Sequence, residues 1–403
     1  MRGAGPRCAG ALLALLLAAC GGQREEAPAA QPGAPVGEEF RKGQMLADQG
    51  MYPEAIAAFQ EAAAGWPDSA KVQLSLGNAY LNYDDLEQAI AAYERAIALD
   101  PELASAHYNL ASAMIRQKRF EDAMAPLQRA LALEPRHVRA HDGLGQLYYR
   151  QGQYEQALAE YERALAADSS FADTWYNLGE LYAKQQRLDE ASGAYRRAAA
   201  ADTTMAQAWD GLGALYFRQR QFDDAIEALE KAVALDPLLT RAYFSLGNAY
   251  LRNGDRDRGN RALAEFTRLK QQDEETDRLR YNLVLRPADA SLYYNLGVLY
   301  GERHQHQQAK LKYQQAIAQD PSLAPPYHNL GNIYLGERDV ARAEVMFRRA
   351  LTADPAYALA HYGLGRIAFL RQDYPAAQVE FEAAIGLDSS FAAAYHSLGI
   401  VRL

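Results

Sequence analysis

The chain has eight histidines and two cysteines, and their spacing supports little nucleophilic, acid-base or metal chemistry. His137 and His141 stand four apart, so two imidazoles could share a metal across one helical turn. No cysteine accompanies them, and His141 falls in a column that elsewhere holds Trp175 and Trp209, so packing accounts for it better. His304 and His306 flank a turn and read as solvent-exposed. No glycine-rich phosphate loop, nucleophile elbow or zinc-protease motif occurs, and acidic residues are spread over helix exteriors. The expectation is a chain without catalytic residues, metal or cofactor.

Binding chemistry is better represented. One column holds Tyr108, Tyr176, Tyr294 and Tyr362, with Phe244, His328 and His396 at the equivalent place. Beside it stand Asn109, Asn177, Asn295 and Asn329, interrupted by Gly143, Gly211 and Gly363 and by Ser75, Ser245 and Ser397. A side-chain amide both donates and accepts, so such a row could hold a peptide backbone with little regard to its sequence. A third column, Arg116, Arg150, Lys184, Arg218 and Arg252, gives way to Glu302, Gly336 and Leu370. It reads either as a strip selecting carboxylates or as cations favoured at helix C-termini by the dipole.

These columns need elements that place equivalent residues side by side, and the spacing supplies them. The pattern of Ala70 to Leu103 recurs every 34 residues: Leu76-Gly77, Tyr80, Ala89, Tyr93, Ala96, Pro101. Leu76 and Tyr80 share one face of a first helix, and Ala89, Tyr93 and Ala96 share one face of a second. Gly77 and the two alanines are small where the backbones must come close, and Pro101 ends the second helix. The Leu-Gly pair returns at Leu144, Leu178, Leu212, Leu246, Leu296, Leu330, Leu364 and Leu398, with Leu110-Ala111 as a relaxed copy and Lys42-Gly43 as a degenerate one.

This pattern resembles the tetratricopeptide repeat, a helix-turn-helix of this length with these residues at these offsets. The resemblance implies an all-α fold: an alpha-alpha superhelix, or solenoid, of about ten hairpins and a terminal half-repeat, one thin core running through units that bury each other's apolar faces. It also implies that first helices line a concave groove in which residues flanking Leu-Gly meet a partner's extended segment. The groove residues are then Tyr108, Asn109, Arg116, Arg150, Tyr176, Asn177, Lys184, Arg218, Phe244, Arg252, Tyr294, Asn295, His328, Asn329 and Tyr362. The asparagine row resembles the ladder in the repeat array of O-GlcNAc transferase, although no transferase domain is present.

The first 20 residues read as a targeting segment. Arg2 and Arg7 precede an apolar run from Ala9 to Ala19, too short for a stable bilayer anchor, ending in Leu17-Ala18-Ala19-Cys20. The ending resembles a bacterial lipobox, which implies cleavage before Cys20 and its lipidation. Gly21, where an aspartate would signal inner-membrane retention, favours the outer membrane. Residues 21–35, rich in Pro, Gly and Ala, read as a flexible linker.

Repeats one to seven are expected over 36–273 and eight to ten over 290–391, with a half-repeat helix over 392–403. Between the two blocks the register breaks: Leu296-Gly297 arrives 16 residues late. Nothing in 274–289 before Pro287 stops a helix. The second helix of repeat seven is thus expected to extend to about 29 residues and roughly 43 Å, or to kink near Asp273. The net charge of −9 argues against nucleic acid. The expected role is a non-enzymatic, lipid-anchored scaffold of the bacterial envelope that faces the periplasm, with self-association left open. The alternative is the targeting subunit of an envelope enzyme or secretion machine whose activity lies in another chain.

Overall fold

The computed structural model describes residues 37–402, and all the regular structure among them is helical. Cys20, the apolar run before it and the linker lie outside the described residues. The chain forms two compact units, one up to Pro101 and one from Glu102. The first contains α1 (Glu38–Asp48), α2 (Tyr52–Gly65), α3 (Ala70–Asn82) and α4 (Leu86–Leu99). The second begins with α5 (Ala104–Arg116), α6 (Phe120–Leu133), α7 (Val138–Arg150), α8 (Tyr154–Ala167), α9 (Ala172–Lys184), α10 (Leu188–Ala201), α11 (Ala206–Arg218), α12 (Phe222–Leu235) and α13 (Thr240–Arg252). It continues through α14 (Arg256–Leu285), α15 (Ala290–Glu302), α16 (His306–Gln319), α17 (Ala324–Gly336), α18 (Val340–Ala353), α19 (Ala358–Leu370), α20 (Tyr374–Leu387) and α21 (Ala392–Val401). None of the helices among the described residues is long and apolar enough to cross a membrane.

Each hairpin is built the same way. The turn between first and second helix puts one residue in the left-handed region, Gly152 and Gly254 at two of these turns and Lys118, Gln186, Arg220, His304, Arg338 and Gln372 at others. At Gly152 the turn closes through Gly152 N–H to Tyr149 O and Gln153 N–H to Tyr148 O, which satisfies carbonyls the helix end leaves open. In most hairpins the second helix ends on an aspartate, and at several its carboxylate accepts from the backbone two residues on, as Asp168 does from Ser170 and Asp320 from Ser322. That Asx turn redirects the chain into the next first helix. Asp236 and Asp354 do the same.

The Leu-Gly glycine makes room for a ring more often than for a backbone. A Cβ on Gly145 or Gly179 would fall 2.4 or 2.5 Å from the ring of Tyr161 or Tyr195. Phe347 and Phe381 fill the same place against Gly331 and Gly365. Between α13 and α14 the backbones themselves approach, a Cβ on Gly247 meeting Gly259 O at 3.2 Å. The flanking alanines, Ala157 and Ala164 around Tyr161 and Ala191 and Ala198 around Tyr195, are fully buried.

The late repeat is carried by α14, one unbroken helix of 30 residues and about 45 Å. Its first half packs against α13. Leu279 and Leu283 in its second half join the core of Leu292, Leu296 and Leu299 from α15.

Candidate functional site: the face of the first helices

Within the second unit the first-helix faces of α5, α7 and α9, with the start of α11, line an open cleft of about 600 Å³. Its wall brings together Tyr108, Arg116, Tyr176 and Asn177, all expected from the sequence, with Arg139, Asp142, Gln146 and Asp173. Each helix contributes residues three and four apart, which share one face, and the stacking of successive hairpins makes columns at a 34-residue spacing neighbours.

The rings of the first column stand half buried rather than fully presented. Tyr176 packs on Tyr195 at 5.8 Å, Tyr294 on Tyr313 at 6.0 Å, His328 on Phe347 at 5.8 Å and Tyr362 on Phe381 at 5.6 Å. Tyr108 stacks on His137 at 4.7 Å, while His137 accepts from Ala140 N–H at the start of α7. Phe244, against Phe266 at 5.1 Å, remains 50% exposed. Burial raises the Tyr108 and Tyr176 phenols and lowers the His328 imidazole, so these groups remain neutral near pH 7.

The asparagines divide by partner. Asn177 Nδ2 donates to Asp142 Oδ1 at 2.9 Å, and Asn329 Nδ2 to the Tyr313 hydroxyl at 3.1 Å. Asn295 is exposed on α15. Asn109 lies half buried and engaged within the fold. The row therefore does not present a uniform ladder of open amides.

The cations occupy the last residue of α5, α7, α9, α11 and α13. Arg116 lines the cleft. Arg150 lies over the Phe120 ring at 3.9 Å, and Arg218 donates to Gln186 Oε1, so each reaches back to the turn of the preceding hairpin. Lys184 and Arg252 are exposed.

Two groups of this face escaped the sequence reading: Asp142 and Asp210, each in the column that otherwise holds an aromatic ring. Asp142 is buried and accepts from Thr174 Oγ1 at 2.7 Å, Asn177 Nδ2 and Gln146 Nε2. Asp210 is fully buried and accepts from Arg241 Nε. Ala242 and Ser245 stand where Asp142 has Thr174 and Asn177, and Asp210 Oδ1 is left without a partner. Burial raises both carboxyls. Their signal in the sequence was an acidic residue breaking an aromatic column.

His141 and His361 serve packing, while His304, His306 and His396 are exposed. His141 is buried, with Nδ1 2.7 Å from Glu160 Oε2 and Nε2 3.0 Å from Pro135 O. His361 repeats the pairing with Glu380 at 2.8 Å. Among the described residues no group of three or more His, Cys, Asp or Glu side chains could hold a metal ion.

Family models of the repeat match most of the chain. A model described as TPR repeat matches residues 84–118, 145–186 and 216–254. Models described as tetratricopeptide repeat match 46–92 and 119–162, 172–204, 290–323 and 328–397. No curated protein gives a significant match. Among solved structures the chain is similar to MamA, with 26% identity over 41% of this chain and 97% of that one and a TM-score of 0.36. It is similar to pilF of Pseudomonas aeruginosa, with 21% identity over 50% and 91% and a TM-score of 0.46. A third is YrrB, described as a TPR protein with an unusual peptide-binding site, with 24% identity over 46% and 95% and a TM-score of 0.38.

Proposed function

We propose, from the premise that this chain belongs to the tetratricopeptide-repeat family, an interaction scaffold fold, that it is a non-enzymatic adaptor holding extended segments of partner proteins against its first helices. The observation that carries this reading is the cleft over α5, α7 and α9. There Arg116 and Arg139, Asp173 and the half-buried Tyr108 and Tyr176 converge on a space of about 600 Å³. Such a surface offers donors, acceptors and ring faces to a peptide backbone, and it contains no group poised to make or break a bond.

The same reading anchors the adaptor through lipidated Cys20 to the bacterial outer membrane, facing the periplasm, with residues 21–35 as tether. The Leu17-Ala18-Ala19-Cys20 ending supports it. In the native host, labelled palmitate should enter the protein and be lost in Cys20→Ala. Incorporation unchanged by that substitution would remove the anchor from this account.

The adaptor role is tested by affinity purification from detergent-solubilised envelope. Wild type should retain partner proteins that Arg116→Glu together with Arg139→Glu releases. An identical partner set from the two proteins would overturn docking in this cleft.

A further inference from the structure

We propose that α14 divides the inner face of the second unit into two separate grooves, and that the one over α15, α17, α19 and α21 takes an uncharged, apolar-rich extended segment of a partner protein. This rests on the reading of the first helices as a docking face given above.

Asp273, midway along α14, shows the division. Its carboxylate accepts from Thr240 Oγ1 at 2.7 Å and from Arg303 Nη1 at 2.8 Å. Thr240 is the first residue of α13 and Arg303 follows the last residue of α15. The start of one first helix thus lies beside the end of the other, and the two pack along successive lengths of the same long helix. The 16 extra residues correspond to a step of about 24 Å at 1.5 Å per residue. A segment lying across α5 to α13 would have to make that step to continue onto α15.

The two faces also differ in chemistry. On α7 to α13 the inward columns hold Arg139, Asp173, Lys184 and Arg252, together with Glu180 and Arg241, which are engaged by Tyr195 and Asp210. Beyond α14 the equivalent positions hold Ser291, Val298, Pro325, Leu359 and Leu370, with Glu302 and Arg366 as the charged exceptions. Arg366 is already engaged, donating to Asn332 Oδ1 at 3.1 Å and lying over the Tyr362 ring. Leu359, Leu370 and Ile400 are 39, 62 and 47% exposed on this face.

An apolar face of this kind gains by being covered. A charge pressed against it would lose its water and find few partners, so the matching segment is neutral. Packed helices lie about 10 Å apart and an extended chain advances about 3.3 Å per residue. Four first helices therefore suit about ten residues with an apolar side chain at every third position.

The test uses the full chain and two labelled decapeptides read by fluorescence anisotropy. One carries Leu or Phe at every third position among Ser and Asn, and the other carries Asp at those positions. Leu359→Glu with Leu370→Glu, both exposed sites whose fold is checked by circular dichroism, should weaken the neutral peptide by at least about tenfold and spare the acidic one. Lys184→Glu with Arg252→Glu should do the reverse. Neutral-peptide binding unaffected by the leucine substitutions, or competition of the two peptides for one site, would overturn the inference. Binding of the acidic peptide alone would sink this inference and leave the adaptor role standing. Binding of neither to wild type would overturn this inference, and the adaptor role would then stand or fall on the envelope purification.

Discussion

The side-chain amide of Asn177 on α9 donates to Asp142 Oδ1 on α7 at 2.9 Å, and Thr174 Oγ1 reaches the same oxygen. A residue expected from the sequence to meet a ligand is thus a strut between two hairpins, and Asp142 is buried beneath it.

Asn177→Ala should therefore cost stability before it costs binding. Removing one donor from a buried carboxylate is expected to lower unfolding free energy by about 1–3 kcal/mol, whereas Asn295→Ala on exposed α15 should stay within about 0.5 kcal/mol. Urea denaturation of the two variants checks this. Equal midpoints would mean that the Asn177 bond carries no load.

His141 and Glu160 make a pH-dependent contribution. Nδ1 faces a carboxylate and Nε2 a carbonyl, and only the imidazolium donates to both. The hydrogen bond to Glu160 raises His141 above its ordinary 6.5. Burial alone would raise Glu160, yet His141 and Arg163 hold it below its ordinary 4.5. The histidine contribution is fully present below 6.5 and is lost as pH rises through the raised value. The glutamate contribution is present above 4.5 and is lost as pH falls through the lowered one. The stability difference between wild type and Glu160→Gln should accordingly be largest between pH 4.5 and 6.5. A difference that is flat from pH 4 to pH 9 would refute the pairing.

The same pair can be exchanged as a unit. Where His141 faces Glu160, the equivalent positions elsewhere are Trp175 with Ala194 and Trp209 with Ala228. His141→Trp alone leaves Glu160 with Arg163 as its one partner, and Glu160→Ala alone leaves the buried His141 Nδ1 without its carboxylate. Each should cost about 1–3 kcal/mol, and the double substitution should recover at least half of the summed loss. Strict additivity of the two losses in thermal melts would count against coupling.

Lys118 and Gln372 hold positive φ at turns where Gly152 and Gly254 do the same without a side chain. Lys118→Gly and Gln372→Gly should each stabilise by about 0.5–1 kcal/mol, the relief of left-handed strain exceeding the gain in unfolded-chain entropy. A lowered melting temperature for both would reverse that balance.

Asp273 joins α13 to α15 through Thr240 and Arg303, and the Arg303 side chain is only 10% exposed. Asp273→Ala should cost about 1–3 kcal/mol by leaving that guanidinium without its carboxylate. In a repeat array coupled mainly through neighbours, the amides of α15 to α21 should then exchange faster than those of α5 to α12. Uniform protection in the variant would show that Asp273 does not couple the two blocks.

Leu-Gly, Ala, aromatic and Ala at a constant spacing determined the hairpin, its two faces and which residues form columns, because helix period and residue size act within one unit. The sequence alone also placed the break in register before Leu296 and placed Cys20 after an apolar run. The tertiary structure decided how the columns are used, because hydrogen bonds and burial join residues one hairpin apart. It engaged Asn177 and Asn329 within the fold, left Asn295 open, and sent Arg150 and Arg218 back to the preceding turns. It also buried Asp142 and Asp210 in an aromatic column and set α13 and α15 along one helix at Asp273. Those outcomes depend on distances between side chains 16 to 35 residues apart in sequence, which no local pattern encodes.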